Sequence, residues 1–110
     1  MAKGDYLGEF EQIVLMALLR LGQDAYGMTV RREIEERTGR QVSIGAVYAT
    51  LERLEAKRYV ASFSGEPTAE RGGRAKRFFQ IEGDGRRALR RSQEAIGKMM
   101  EGLETQWGKA

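Results

Sequence analysis

Apolar residues at helical spacing mark the first segment of the chain that is expected to fold. One stripe consists of Phe10, Ile13, Val14, Ala17, Leu18 and Leu21. Gly22 follows where helices commonly end, so the pattern predicts a helix over about residues 9–21. Because Leu15, Met16 and Leu19 make the other side apolar as well, we expect a second subunit to cover part of this helix.

Two further helices are predicted on either side of a short turn. The second covers about residues 26–38, has a charged outer face and ends at Gly39. The third starts after Ser43, a favourable N-cap. Its apolar stripe consists of Ile44, Val47, Tyr48, Leu51 and Leu54. Two helices joined by a short connection near a glycine are typical of a helix-turn-helix unit.

The period changes from helical spacing to two beyond Lys57, which predicts strands. The residues Tyr59, Ala61 and Phe63 alternate with Val60, Ser62 and Ser64, and further on Phe79 and Ile81 alternate with Phe78 and Gln80. The intervening segment, residues 65–75, is rich in turn-forming residues. A β-hairpin, or wing, is therefore expected after the helix-turn-helix, and the fold class is mainly α with a small β-hairpin.

The helical period returns from about Arg86 and predicts a last helix that helps to form a dimer. Leu89, Ile96 and Leu103 are seven residues apart. Gly97 and Gly102 each cost about 1 kcal/mol inside a helix relative to Ala. The expected dimer-interface residues are Leu15, Met16, Leu19, Leu89, Ile96, Met99, Met100, Leu103 and Trp107. We expect residues 1–82 to form a DNA-binding domain, and residues 83–110 a dimerisation helix within the same compact unit.

The amino-acid composition argues against several classes of function. The chain of 110 residues has no Cys and no His, which removes the commonest metal ligands and the commonest general base. No catalytic constellation is evident either, so we expect no enzyme activity, no cofactor and no metal. The longest apolar run, residues 13–19, is too short to span a membrane, and no leader pattern precedes it. A cytoplasmic protein is the expectation.

The net charge of +3 is concentrated in one segment. Residues 1–64 carry nine basic and nine acidic side chains, whereas residues 65–91 carry eight basic and four acidic ones. Four of these cations, Arg71, Arg74, Lys76 and Arg77, lie at or beside the tip of the predicted hairpin. Such a group contacts phosphates or a narrow minor groove, or else it only solubilises the loop. The arginines of residues 86–91 allow the same two interpretations.

The third helix presents short side chains on the face opposite its apolar stripe. Such residues let a recognition helix enter the major groove, and Thr50 and Arg53 can reach base edges or phosphates. Alternatively, the small residues only pack against a neighbouring element, and Tyr48 serves the core with its hydroxyl at the surface. The candidate DNA-contacting residues are Ser43, Gly45, Ala46, Tyr48, Ala49, Thr50, Arg53, Arg71, Arg74, Lys76 and Arg77.

Several short motifs in order resemble the PadR family of transcriptional regulators over roughly residues 7–90. The motifs are LGEFEQ at 7–12, AYG at 25–27, SIGAVYATLERLE at 43–55 and GGRAKRFF at 72–79. The resemblance implies a homodimer with a winged helix-turn-helix at each end, a C-terminal helix that crosses to the other subunit, and an inverted-repeat operator. The short tail resembles the compact branch of the family.

The chain departs from the family pattern at three positions. Ala49 stands where the family often has Pro, Arg58 where it often has Gly, and Glu82 where it usually has Thr. With Glu82 at that place, Asp84 is the better expected cap for the last helix.

The sequence therefore predicts a repressor that binds double-stranded DNA as a homodimer. The alternative is a winged-helix module that binds another protein, which an acidic or neutral wing would suit better than a basic one. The resemblance also suggests a small aromatic effector near Met99, Met100 and Trp107, although these residues could instead simply complete the dimer core.

Overall fold

The computed structural model describes residues 6–65 and 76–107. Its elements are α1 (Glu9–Leu21), a 3₁₀ turn (Gly22–Asp24), α2 (Gly27–Thr38), α3 (Ile44–Ala56), β1 (Val60–Ser64), β2 (Arg77–Ile81), α4 (Gly83–Met100) and α5 (Glu104–Trp107). None of the helices in the described ranges is long and apolar enough to span a membrane. The predicted helix-turn-helix and hairpin are both present.

Local capping interactions set the starts of α2 and α3. The Tyr26 amide donates to the Thr29 hydroxyl at 2.9 Å, so Tyr26 is the N-cap and α2 starts one residue later than predicted. The Ser43 hydroxyl accepts from the Ala46 amide at 3.0 Å, which confirms Ser43 as the cap of α3. These two caps position the helix-turn-helix.

One core joins every element except the 3₁₀ turn and α5. The buried apolar side chains are Leu7, Val14, Leu15, Ala17, Leu18, Ala25, Val30, Ile34, Val47, Leu51, Leu54, Val60, Phe79, Ala88 and Leu89. Leu15 is 0% exposed and Leu89 only 7%. The expectation that these two side chains need cover from a second subunit is therefore wrong, because α1 packs against α2, α3, β2 and α4 of its own chain.

The hairpin is antiparallel and is joined to the start of α2. Its register places Val60 opposite Ile81 and Ser64 opposite Arg77. The Phe79 amide donates to the Ala25 carbonyl at 2.9 Å, and Tyr26 forms an isolated antiparallel β-bridge with Phe78. The segment before α2 therefore lies beside β2. The wing is thereby fixed to the helix-turn-helix at its base.

Two helix starts approach neighbouring elements closely at a glycine, one against a side chain and the other against the backbone. A Cβ on Gly27 would lie 2.3 Å from the Tyr48 ring, and one on Gly85 would lie 2.2 Å from the Tyr59 carbonyl oxygen. Both distances are far inside van der Waals contact. Gly27 therefore lets α2 lie against α3, and Gly85 lets α4 lie against the segment that leads into β1.

The backbone at the end of α3 shows why glycine is favoured at position 58, where this chain has Arg. Tyr59 donates its amide to the Leu54 carbonyl and Arg58 donates to Glu55, which is the hydrogen-bond pattern of a Schellman motif. Arg58 occupies the left-handed position of that motif, with φ of 63°. Glycine is the residue that adopts this conformation without steric cost.

The structure corrects both predicted ends of the last helix, α4. Glu82 is the N-cap of α4, and Asp84 lies in the first turn rather than at the cap. The helix ends at Met100, and Gly102 adopts φ of 82° in the following turn. Leu103 and Trp107 therefore do not continue the stripe of Leu89 and Ile96, because the chain changes direction before them.

Candidate nucleic-acid interface

Helix α3 presents a flat, exposed face of small side chains. Gly45, Ala46 and Ala49 are exposed, whereas Val47 and Leu51 are buried on the opposite side. No long side chain in the first turns of this face would keep the helix backbone away from a groove. Apart from Thr50, the predicted orientation of α3 is confirmed, and no element among the described residues covers the small side chains.

Thr50 is not part of that face. It is only 2% exposed, and its hydroxyl oxygen lies 3.3 Å from Nη2 of Arg53, which donates to it. The prediction that Thr50 reaches a base was wrong, because this side of α3 packs toward α1. Thr50 instead supports the guanidinium of Arg53, whose side chain is 57% exposed.

Tyr48 contributes to packing, as the sequence analysis expected for its ring. The ring lies over Gly27 at the start of α2 and packs partly buried against the core. It therefore fixes the position of α2 relative to α3.

Glu11 on α1 organises the basic side of α3, and the sequence analysis did not single it out. Its carboxylate accepts from the Gly8 amide at 2.9 Å and from Lys57 Nζ at 3.1 Å, and it lies 3.9 Å from Arg53 Nε. Burial acts to raise the pKa of Glu11, but the hydrogen bonds from Gly8 and Lys57 and the nearby positive charges lower it overall. An acidic residue three positions after Gly8 was the available signal.

Glu52 is a second residue that sequence reasoning missed. It follows Ala49 by three positions on the exposed face of α3, and its side chain is 64% exposed. A carboxylate there can accept a hydrogen bond from a cytosine amino group, and it repels phosphates. The helical spacing from Gly45 and Ala49 was the signal that could have found it.

The two wing cations within the described residues, Lys76 and Arg77, contact side chains of the helix-turn-helix and of the segment before α2. Arg77 forms ion pairs with Glu52 and Glu55 of α3. Lys76 Nζ lies 4.4 Å from the centre of the Tyr26 ring, a cation–π arrangement. The predicted contacts Arg71 and Arg74 lie outside the described residues.

Side chains of α2 hold the turn before α3. Arg31 Nε donates to the Val42 carbonyl at 3.1 Å, and Glu35 accepts from the Val42 amide at 3.1 Å. Gly39 ends α2 in the left-handed conformation, with φ of 73°. The start of α3 is therefore anchored on both sides, and Ser43 is exposed at its tip.

The expected interface residues at the C-terminal end are exposed in the single chain. Met99 is 78% exposed and Trp107 is 56% exposed, and Ile96, Met100 and Leu103 are also exposed. Leu19 is exposed on α1, while Met16 is partly buried. Within the described residues, no group of three or more acidic side chains is placed to hold a metal ion.

Comparison with known proteins gives consistent results. The model of the family described as "Transcriptional regulator PadR-like family" matches residues 14–91. A PadR-like transcriptional regulator from Bacillus cereus is 15% identical over 92% of this chain and 93% of its own, with a TM-score of 0.72. A winged-helix DNA-binding protein from STIV is 18% identical over 88% and 97%, with a TM-score of 0.68.

A PadR family transcription regulator from Clostridium difficile is 20% identical over 86% of this chain and 97% of its own, with a TM-score of 0.65. No curated protein matches the sequence significantly. At these identities the solved structures show the shared winged-helix fold.

Proposed function

The chain belongs to the PadR-like family of transcriptional regulators, and from this premise we propose that it is a repressor that binds an inverted-repeat operator as a homodimer in the cytoplasm. The observation that carries the proposal is the exposed face of α3. Its small residues Gly45, Ala46 and Ala49 are uncovered, and an anchored turn and a wing lie on either side.

Base reading is assigned to the exposed face of α3. The short side chains allow the helix backbone to approach the base edges closely, and Ser43 lies at the tip that enters the groove first. Arg53 is the longest donor on this side of the helix, and a bidentate contact to guanine contributes about 1–3 kcal/mol of discrimination. Glu11 and Thr50 hold Arg53 on the side of α3 nearest α1.

Sequence-independent affinity is assigned to the wing cations Arg71, Arg74 and Lys76. The excess of positive charge in residues 65–91 supports this assignment. Cations that neutralise phosphates release condensed counterions, so binding weakens steeply with salt. Each lost phosphate contact lowers the slope of log affinity against log salt by about one unit.

Dimerisation is assigned to the C-terminal half of α4 together with α1. A monomer of this size rarely leaves so many large apolar side chains uncovered within so short a segment. A groove of about 430 Å³ between α1 and α2, lined in part by Ile13, Met16 and Leu19, offers a second apolar surface. A two-fold symmetric pair would bury both surfaces and place two copies of α3 on one face of the DNA.

Regulation by a small aromatic molecule is part of the same proposal. Met99, Met100 and Trp107 offer polarizable and flat surface near the assigned interface. A ligand there regulates only if it binds the DNA-competent and DNA-incompetent arrangements with different affinity. Titration of an aromatic panel, followed by Trp107 fluorescence and by DNA affinity, tests this step, and no change in either signal rejects it.

The main experiment compares a fragment selected by the protein from random duplexes with an unselected duplex of equal length. Anisotropy at several salt concentrations should give tighter binding to the selected fragment and a steep salt dependence for both. Arg53→Ala should reduce the preference for the selected fragment, whereas Arg32→Ala, exposed on α2 outside the groove between α1 and α2, should not.

The outcomes separate the two candidate functions. Weak binding of both duplexes, without salt dependence, would reject DNA binding and favour a module that binds another protein. Equal losses on both duplexes in Arg53→Ala would move that residue from base reading to backbone contact.

A further inference from the structure

Arg77 is paired with groups of its own chain, and its side chain is 43% exposed. Its Nη1 lies 3.7 Å from a Glu52 carboxylate oxygen, and its Nη2 donates to Glu55. The guanidinium carbon also lies 4.9 Å from the centre of the Phe79 ring. Arg77 at the start of β2 is therefore bound to two carboxylates of the recognition helix and to the buried aromatic ring of its own strand.

Glu55 connects α3 to both strands of the hairpin. One carboxylate oxygen accepts from Arg77 of β2, and the other accepts from the Ser62 hydroxyl of β1 at 2.5 Å. Ser62 and Arg77 lie on the same face of the hairpin, because Ser62 is opposite Phe79 and Ser64 is opposite Arg77. A single carboxylate on the recognition helix thus holds both strands of the hairpin against α3.

These contacts are unfavourable for a phosphate-binding arginine. To neutralise a phosphate, Arg77 would have to leave two carboxylates, and its departure would leave Glu55 without its cation. The nearby negative charges of Glu52 and Glu55 also oppose the approach of the DNA backbone to this position. The same contacts are favourable for a residue that holds two elements together, since the planar guanidinium binds two acceptors in a fixed geometry.

We propose that Arg77 and Glu55 are positioning residues that lock the wing to the recognition helix, and that Arg77 does not itself contact DNA. This inference rests on the proposed function and refines it, because it separates Arg77 from the wing cations that neutralise phosphates. The latch, defined as Arg77, Glu55 and Ser62, sets the distance between the groove-reading face of α3 and the phosphate-contacting part of the wing.

The first test measures the latch without DNA. The Gly65 amide donates to the Lys76 carbonyl at 2.7 Å where the hairpin opens, and its hydrogen exchange reports local opening. Arg77→Gln and Glu55→Gln should each speed that exchange by about three- to fivefold, as expected for a partly exposed charged pair. The double variant should be no faster than either single variant, because both remove the same interaction.

Glu52→Gln is the matched control, since Glu52 approaches Arg77 without contacting β1. It should leave the exchange of Gly65 within about twofold of the wild type. Unchanged exchange in both Arg77→Gln and Glu55→Gln would overturn the latch.

The second test measures binding to a random 30-base-pair duplex as a function of salt. If Arg77 acts as a positioning residue, Arg77→Gln weakens binding but leaves the salt slope unchanged, because no phosphate contact is lost. If it contacts a phosphate, the slope falls by about one unit, and the proposal is overturned.

Glu55→Gln separates the same alternatives while keeping the Arg77 cation, so the test stands even if Arg77→Gln does not fold. The latch predicts weaker DNA binding in this variant, whereas a carboxylate that merely competes with phosphate predicts tighter binding.

Exchanging the two charges provides the rescue. Glu55→Arg combined with Arg77→Glu should restore slow exchange of Gly65 and recover binding lost in Arg77→Gln. Both changes are made in the Glu52→Gln background, because Glu52 would repel a carboxylate at position 77. Further loss of affinity with a lower salt slope would overturn the proposal, because it would place a phosphate at residue 77. The exchange experiments contain no DNA, so they test the latch independently of the proposed function. A wild-type protein that binds no duplex would reject the proposed function and leave the exchange result valid.

Discussion

The two halves of α4 differ in what covers them, although one apolar stripe runs along both. Ala88, Leu89 and Ser92 in the first half are buried by their own chain, and the Ser92 hydroxyl accepts from the Leu7 amide at 2.9 Å. Ile96 and Met99 continue the stripe at helical spacing but are exposed. The chain itself covers the first half of α4, whereas the second half is exposed among the described residues.

The largest predicted effect is the difference in stability between substituting a buried apolar side chain and substituting an exposed one. Leu51→Ala should lower the free energy of unfolding by about 2–5 kcal/mol, because it leaves a cavity in the centre of the core. Met99→Ala, measured at dilutions where the chain is monomeric, should change that free energy by less than about 0.5 kcal/mol. Urea denaturation measures both, and similar losses would show that the comparison between the two regions is wrong.

The next prediction concerns self-association. If the proposed dimer forms through α4, Ile96→Lys together with Met99→Lys should leave only a folded monomer, because buried unpaired ammonium groups are costly at an interface. Sedimentation velocity and circular dichroism check the two parts. Glu94→Lys, an exposed substitution on α4 that changes the net charge by the same two units, is the control for added charge. A double variant that sediments as a dimer would rule out this interface.

A smaller effect is expected at the end of α3, inside the covered region. Arg58→Gly should raise the free energy of unfolding by about 0.5–1 kcal/mol, because it removes a side chain from a left-handed position. Arg32→Gly, in the middle of α2, should instead destabilise by a similar amount. Thermal denaturation of the two variants distinguishes a local conformational cost from a general effect of arginine removal, and destabilisation by Arg58→Gly would contradict the prediction.

The smallest effect is a pH dependence carried by Glu11. Its pKa is lowered in the folded chain from an ordinary value of 4.5. Glu11 therefore stabilises the fold above about that pH, and this contribution is lost as the pH falls through the lowered pKa. Glu11→Gln should flatten the fall of stability in acid below pH 4.5, whereas Glu36→Gln, exposed on α2, should not. Parallel acid-unfolding curves for Glu11→Gln and the wild type would contradict this assignment.

Much of the architecture could be predicted because local rules and the tertiary fold agree there. The limits of α1, the cap at Ser43 and the hairpin follow from periodicity, capping chemistry and turn composition, which act over a few neighbouring residues. The uncovered small residues of α3 follow from the same periodicity. Both sides of α1 are apolar, and periodicity does not show whether the same chain or a second subunit covers each side. For that reason Leu15 was predicted at a dimer interface, although its own chain buries it.

The amino-acid sequence by itself determined the order of the helices, the wing, the charge of its central segment and the family to which the chain belongs. Only the tertiary structure decided that Thr50 is buried against the α1 side, that Glu11 holds Lys57, and that Arg77 pairs with Glu52 and Glu55. These partners are up to 46 residues apart in the chain. Spacing within one element carries no information about which charged side chains of distant elements meet, because that depends on how the packed core orients the elements.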